Sequence, residues 1–352
     1  NRLLLILDGH ALVHRAWHAI REPLNVRSTG EEVRAVFGVL NSFLKTISDR
    51  KPTHIVITFD LPKPTFRHLE YMGSEAHRRA TPPEVREQFT RIRQLMEAFG
   101  VPIFEQEGFE ADDVIGTLCR QAEEQEIDTI VLTGDTDTLQ LVSPYIRVLL
   151  SFAVQKRTLY DEAAVRERYG GLGPESIAEI KALEGDTSDN IPGVPTIGRK
   201  TAIKLLSEFG SLDGIYEHLE EVTPPRAKKS LTENRDIAER ALFLTTIRRD
   251  VPVTLDLDAS EFWKFDRSKV VDFLKELEFF SMVSRIPNNG LGEQLEMEVE
   301  PDFTSAPVDY QIVDTEEALE ELATELSKPH GFSFDTETES IDPMKEIGRA
   351  HV

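Results

Sequence analysis

Three short apolar runs stand out along the chain, and each stops at an acid. Leu3-Leu4-Leu5-Ile6-Leu7 ends in Asp8, and His54-Ile55-Val56-Ile57-Thr58-Phe59 ends in Asp60. Asp128-Thr129-Ile130-Val131-Leu132-Thr133 ends in Gly134-Asp135-Thr136-Asp137. Continuous apolar runs of this length predict strands buried on both faces. Between them lie helical patterns: the stretch from Ala35 to Leu44, and Val114, Ile115, Leu118, Cys119 and Ala122 at spacings of three and four. Strands alternating with helices predict an α/β fold with a mainly parallel central sheet flanked by helices. Ligands of such sheets bind beyond the carboxyl ends of the strands, the edge to which all three runs deliver carboxylates.

The stretch GFEADDVIGTL, from Gly108 to Leu118, adds Glu110, Asp112 and Asp113 just before a helical face. Acids favour a helix's first turn because its exposed N–H groups carry partial positive charge. That explains one acid well and two adequately, whereas three repel one another. With the strand-end acids converging on the same edge, a cation is expected among them. The donors are all oxygen, so Mg²⁺ or Mn²⁺ suits them. Two or more such ions held by carboxylates suit phosphodiester hydrolysis. His10, His14 and His18 recur at helical spacing and read as helix-surface or core residues rather than ligands.

The chain has 352 residues, enough for two or three domains, and a formal net charge of -23. That charge excludes coating of nucleic acid by bulk attraction but leaves room for local basic patches. The single Cys119 excludes an intrachain disulfide framework and a Cys-based zinc site. No apolar run is long enough to span a bilayer, and no signal peptide is visible, so a cytoplasmic setting without membrane attachment is expected.

A second acidic pair, Asp186 and Asp189, opens ALEGDTSDNIPGVPTIGRKTAIKLL, from Ala182 to Leu206. The ordinary alternative is an Asx turn or helix cap. The stretch from Pro192 to Ala202 reads as a tight hairpin between two helices. A hairpin that opens a helix presents backbone N–H groups to a phosphate, and Arg199, Lys200 and Lys204 add charge at that end. Such contacts grip a nucleic-acid backbone without reading bases.

LILDGHALVHRAWHA, FDLPKPTFRH, EGFEADDVIGTL, TGDTDTLQLV and LEGDTSDNIPGVPTIGRKTA together resemble the 5′ nuclease domain of bacterial DNA polymerase I, in the flap endonuclease superfamily. The resemblance implies a PIN/flap-endonuclease-like core over residues 1–172, with a helical arch at about 61–95. It implies a helical part at 173–290 with a helix-hairpin-helix at about 180–210. Asp8, Asp60, Glu110, Asp112 and Asp113 would serve a first metal site, directly or through water. Asp135, Asp137, Asp186 and Asp189 would surround a second or neighbouring ion. Arg78 would help hold the scissile phosphate. Arg67, Arg78, Arg79, Gly193, Ile197, Gly198, Arg199, Lys200 and Thr201 would contact branched, flapped or nicked double-stranded DNA, with K⁺ at the hairpin. A monomer in the bacterial cytoplasm, associated with the nucleoid, is the implied setting.

Two departures stand out. The arch stretch EYMGSEAHRRATPPEVREQF aligns Ser74 and Glu75 with the family's Tyr-Lys pair, and no lysine occurs from Pro64 to Gln155. Thr196 stands where a second hairpin glycine is usual. After Ile286, residues 291–308 read as a linker. Residues 309–345 resemble the start of a 3′-5′ exonuclease-like domain, with Asp335 and Glu337 matching its first two ligands. Residues 346–352 do not continue that pattern and read as a non-native tail. The leading expectation is a two-metal structure-specific 5′ nuclease, in primer removal and excision repair. One rival is a DNA-positioning module with weak or no cleavage, because Glu75 stands at the arch lysine position; another is a small-molecule phosphohydrolase.

Overall fold

The computed structural model describes residues 2–70, 83–151 and 157–288, with short stretches beyond 313. It forms two compact units, Asn1–Glu293 and Gln294–Val352.

The first unit is built on a six-stranded sheet: β1 (Leu3–Asp8), β2 (His54–Thr58), β3 (Ile103–Phe104), β4 (Asp128–Thr133), β5 (Ile146–Ser151) and β6 (Arg157–Tyr160). The order is β3-β2-β1-β4-β5-β6. Only β6 runs antiparallel to its neighbour. The three acid-tipped strands are therefore adjacent at its centre. Asp8 pairs across from Thr58, and Leu7 pairs with both Ile57 and Leu132, so the strand ends are level.

Alternate residues of β1 feed opposite layers. Leu5 and Leu7 pack with α1 (Gly9–Ala19), α2 (Arg34–Arg50) and α4 (Pro83–Ala98), through Val13, Phe43 and Leu95 among others. The short α3 (Phe66–Glu70) precedes α4 in the chain. Leu4 and Ile6 pack with α5 (Ala111–Glu123), through Ile115 and Leu118. Burial on both faces is why these strands read as unbroken apolar runs.

The second apolar layer does not stop at the sheet. It continues through α6 (Glu162–Arg168) and α7 (Ile177–Glu184) into α8 (Arg199–Phe209), α9 (Leu212–Glu217) and α10 (Pro225–Glu233), joining Val165, Ile180, Leu205, Ile215 and Leu231. Helix α11 (Arg235–Thr245) lies against α7 through Leu244 and Ala182. Helices α12 (Arg267–Glu276) and α13 (Phe280–Val283) return to the first layer through Leu274 and Met282. Between α7 and α8, β7 (Gly185–Asp186) pairs antiparallel with β8 (Ile191–Pro192). One continuous core thus carries both the sheet edge and the hairpin.

Among the described residues no helix is long and apolar enough to cross a membrane. In the second unit, β9 (Asp335–Glu337) pairs antiparallel with β10 (Arg349–His351). Residues 349–351 fall within the stretch expected as a non-native tail. The linker expected at 291–308 lies outside the described residues, as do residues 71–82 of the arch expected at about 61–95.

Candidate metal centre

Asp8 ends β1 and at once starts α1. Its Oδ1 accepts from the Ala11 amide at 2.9 Å, an N-cap, and its Oδ2 accepts from the Thr133 hydroxyl at the end of β4 at 2.5 Å. The turn between strand and helix is tight enough that a Cβ on Gly9 would lie 2.4 Å from the Phe59 ring. Asp60, two residues beyond β2, accepts from the Ala111 amide at 2.6 Å and so ties the start of α5 to the sheet. His10 Nδ1 stands 3.4 Å from the other Asp60 oxygen, and its ring packs on His14 and Phe89. Asp135 follows β4; its amide donates to Thr133 Oγ1 at 2.9 Å, and its Oδ1 accepts from the Asp137 amide at 2.9 Å. Thr133 therefore organises two acids at once, a role the sequence did not disclose.

These carboxylates share one field. Burial, with Asp135 and Asp60 nearby, pushes the Asp8 carboxyl up to about 7. Burial, then Asp135, Asp8, Asp60 and Glu110, drives Asp112 well above the usual range. Asp135 is also raised, by burial and by Asp186, against the pull of Lys181. Hard, anionic oxygens in a poorly solvated site fit a hard divalent cation, whose charge would remove the repulsion that raises them.

Asp113 differs from the rest. It is fully buried, and four N–H donors meet its two oxygens. Oδ2 accepts from Arg67 Nη1 at 2.6 Å and from the Glu110 amide at 3.1 Å. Oδ1 accepts from Arg67 Nη2 and from the Arg248 amide, both at 2.8 Å. A carboxylate offers about four lone-pair directions, so none is left for an ion. Arg67 is spent as completely. Its remaining N–H groups reach the Leu244 carbonyl and the Thr246 carbonyl at 2.8 Å each, and Glu110 Oε2 at 3.2 Å. Arg67, expected from the resemblance to contact DNA, is engaged inside the protein, where its guanidinium holds Glu110 and joins α5 to the end of α11.

The second acidic group assembles from distant chain segments. Asp137, Asp186 and Asp189 bring one carboxylate oxygen each to within 4.8 Å of one another. Lys181, on α7, reaches into this group. Its ammonium bonds Asp137, and it lies 2.5 Å from Asp186 Oδ2. Burial raises the Asp186 carboxyl, but Lys181 and two hydrogen bonds from Ser188 outweigh it and hold the group below the usual range. Lys181 was not among the residues singled out from sequence. Its only signal was its place five residues before Asp186.

In the hairpin, Gly193 serves backbone approach. A Cβ there would lie 2.2 Å from the Gly185 nitrogen, so the two strands touch main chain to main chain. Thr196 has φ 71°, the left-handed conformation a glycine would adopt without strain. Ile197 is buried, so only its main chain could face a ligand. Gly198 caps α8 with open space around it, and Arg199 and Lys200 are exposed in the first turn. Arg199 is held between Glu184, 3.6 Å away, and the Tyr169 ring. Thr201 begins the intrahelical ladder, donating to the Gly198 carbonyl at 2.9 Å. Arg78, Arg79, Ser74 and Glu75 lie outside the described residues.

Comparison with known proteins follows the same division. Residues 3–170 match the 5′-3′ exonuclease N-terminal resolvase-like domain, and residues 172–268 match the 5′-3′ exonuclease C-terminal SAM fold. DNA polymerase I of Chloroflexus aurantiacus is 41% identical over 371 residues, covering 97% of this chain and 39% of that protein. DNA polymerase I of Bacillus caldotenax is 39% identical over 295 residues, covering 84% of this chain and 33% of that protein. The chain thus spans well under half the length of these curated relatives. A T5 5′-exonuclease structure with bound zinc aligns at TM-score 0.57 and 22% identity, over 79% of this chain and 99% of that one. A T5 D15 flap endonuclease complex with DNA and metal ions aligns at TM-score 0.55 and 20% identity, over 80% of this chain and all of that one. At such identities these structures speak for the fold. The acid-edged parallel sheet, the hairpin-bearing helical part and the two consecutive domain matches agree, and the chain belongs to the 5′-3′ exonuclease family.

Proposed function

We propose that this chain is a structure-specific 5′ nuclease. It would hydrolyse phosphodiesters of 5′-flap or nicked DNA, as the N-terminal part of a DNA polymerase I in primer removal and excision repair. The observation that carries this reading is the meeting of Asp8, Asp60 and Asp135, at or just beyond the ends of adjacent strands, with Glu110 and Asp112 at the start of α5, beside the Asp137–Asp186–Asp189 group. Binding alone gains nothing from so many like charges facing a polyanion.

Asp8, Asp60, Glu110 and Asp112 would hold one divalent ion, Mg²⁺ or Mn²⁺, and Asp135, Asp137, Asp186 and Asp189 another. Bound there, such ions supply an activated water and neutralise charge that develops on the leaving oxygen. Asp113 acts at one remove, fixing Glu110 through Arg67 and through the Glu110 amide. Thr133 steadies Asp8, and Ala111 steadies Asp60. The Gly198–Lys200 end of α8 would grip a duplex backbone with its N–H groups and two cations. A potassium ion at this hairpin belongs to the same proposal. A monomer in the bacterial cytoplasm, near the nucleoid, fits this role.

The test is a 5′-flap duplex labelled at both ends, incubated with the chain in Mg²⁺, in Mn²⁺ or in EDTA, beside Asp112→Asn. Cleavage near the junction that needs the metal and is lost in the variant is the expected result. Tight binding without cleavage in either metal would overturn it in favour of a positioning module.

A further inference from the structure

The ammonium of Lys181 is bonded to members of the Asp137–Asp186–Asp189 group. It bonds two of the three acids, and it is largely buried while doing so. Any ion entering the group meets an ammonium already lodged between Asp137 and Asp186. Two cations sharing the same oxygens at such range repel each other strongly.

We propose that Lys181 is a tethered counter-cation that competes with the divalent ion for the Asp137–Asp186–Asp189 group. The group fills only as Lys181 withdraws. Glu184 lies three residues on along α7, at a spacing where helix side chains meet, and it already sits in the field of Lys181. It gives the displaced ammonium a second partner. On the Asp8–Asp112 side the internal cation is Arg67, which is tied to Asp113 and touches that site's acids through Glu110. The two ion sites therefore fill in order, the Asp8 side first and the lysine-guarded group at higher ion concentration. The idea rests on the metal-site assignment above and concerns how that site is regulated.

The test compares the full chain with Lys181→Met, Lys181→Arg and Lys181→Met/Asp186→Asn, titrated with Mn²⁺ alone. Free Mn²⁺ is followed by electron paramagnetic resonance. The proposal expects the weaker site to tighten at least about ten-fold in Lys181→Met. Lys181→Arg, which keeps a cation, should show little gain, and Asp186→Asn should abolish it. In EDTA, Lys181→Met should melt lower than the unmutated chain, and Mn²⁺ should raise its Tm by more. Equal or weaker Mn²⁺ binding in Lys181→Met would overturn the proposal, because lysine and ion would then coexist.

A measurement on the unmutated chain guards against variants that fail to fold. Amine acetylation read by mass spectrometry should find Lys181 protected in EDTA and labelled several-fold faster in saturating Mg²⁺. Unchanged labelling despite full ion occupancy would sink the idea. Failure of the nuclease reading looks different: flap DNA stays uncut while the ion titrations remain interpretable.

Discussion

Arg67 and Asp113 meet in two parallel hydrogen bonds, Nη1 to Oδ2 at 2.6 Å and Nη2 to Oδ1 at 2.8 Å. Every other donor of the arginine and acceptor direction of the aspartate is also used, by Glu110, Arg248, Leu244 and Thr246. Removing Arg67 leaves Asp113 a buried charge with no cation, and removing Asp113 leaves the buried Arg67 with Glu110 as its one remaining acidic partner among the described residues. Asp113→Ala is therefore expected to destabilise the fold by about 3–5 kcal/mol, measured by urea unfolding. Arg67→Ala should cost a similar amount, and the double variant much less than the sum. A loss under about 1 kcal/mol in Asp113→Ala, with Mn²⁺ binding abolished, would instead mark Asp113 as a ligand.

The raised carboxyls make stability depend on pH and metal together. Asp8 titrates at about 7 when folded, mainly through burial, against an ordinary value of 3.8. The unfolded chain sheds this proton first, so the contribution falls as pH rises between those values, and the loss is complete above the folded value. In EDTA, Tm should drop from about pH 4 to about pH 7 and level off above that. Saturating Mg²⁺ should flatten that slope, because it stabilises the charged forms. Parallel slopes with and without Mg²⁺ would contradict the shared-field account.

Thr196 holds φ 71° in the hairpin. A non-glycine residue pays about 1–2 kcal/mol for that conformation, partly offset because glycine has more freedom in the unfolded chain. Thr196→Gly should stabilise the protein by about 0.5–1 kcal/mol, read as a higher urea midpoint. A lower midpoint would mean that the threonine side chain has a stabilising contact.

Gly193 leaves no room for a side chain against Gly185 and Glu184. Gly193→Ala should spread the hairpin and cost about 1–3 kcal/mol. Duplex affinity, measured by fluorescence anisotropy, should weaken several-fold, while Mn²⁺ binding at the Asp8 side stays intact. Unchanged duplex affinity would remove the hairpin from the DNA grip.

Much of the frame was legible before the structure. The runs ending at Asp8, Asp60 and Asp135 are strands β1, β2 and β4, because strands buried on both faces leave an unbroken apolar signal. The edge strands were less visible: β3 is two residues long, and β6 is only partly buried. Side-chain wiring was hidden for another reason. Arg67 finds its partners at 110, 113, 244 and 246, and Lys181 finds Asp137 across 44 positions. Such pairings are set by tertiary packing and leave no local periodicity. The internal bonds of Arg67, which the resemblance placed among DNA contacts, were therefore invisible, and Lys181 looked like any helix lysine.

The acids of the site are spread from Asp8 to Asp189, with Lys181 and Asp186 among the last to be joined to the chain. A ribosome releases the polypeptide from its N-terminus, and domains fold as their segments emerge. While Asp8, Asp60 and Glu110 are already outside, the group that includes Asp186 and Asp189 does not yet exist. Under the proposed function, a half-made chain is expected to leave nucleic acids uncut until the helical part is complete. Stalled chains ending before residue 181 should leave flap DNA intact, whereas chains released after residue 288 should cleave it.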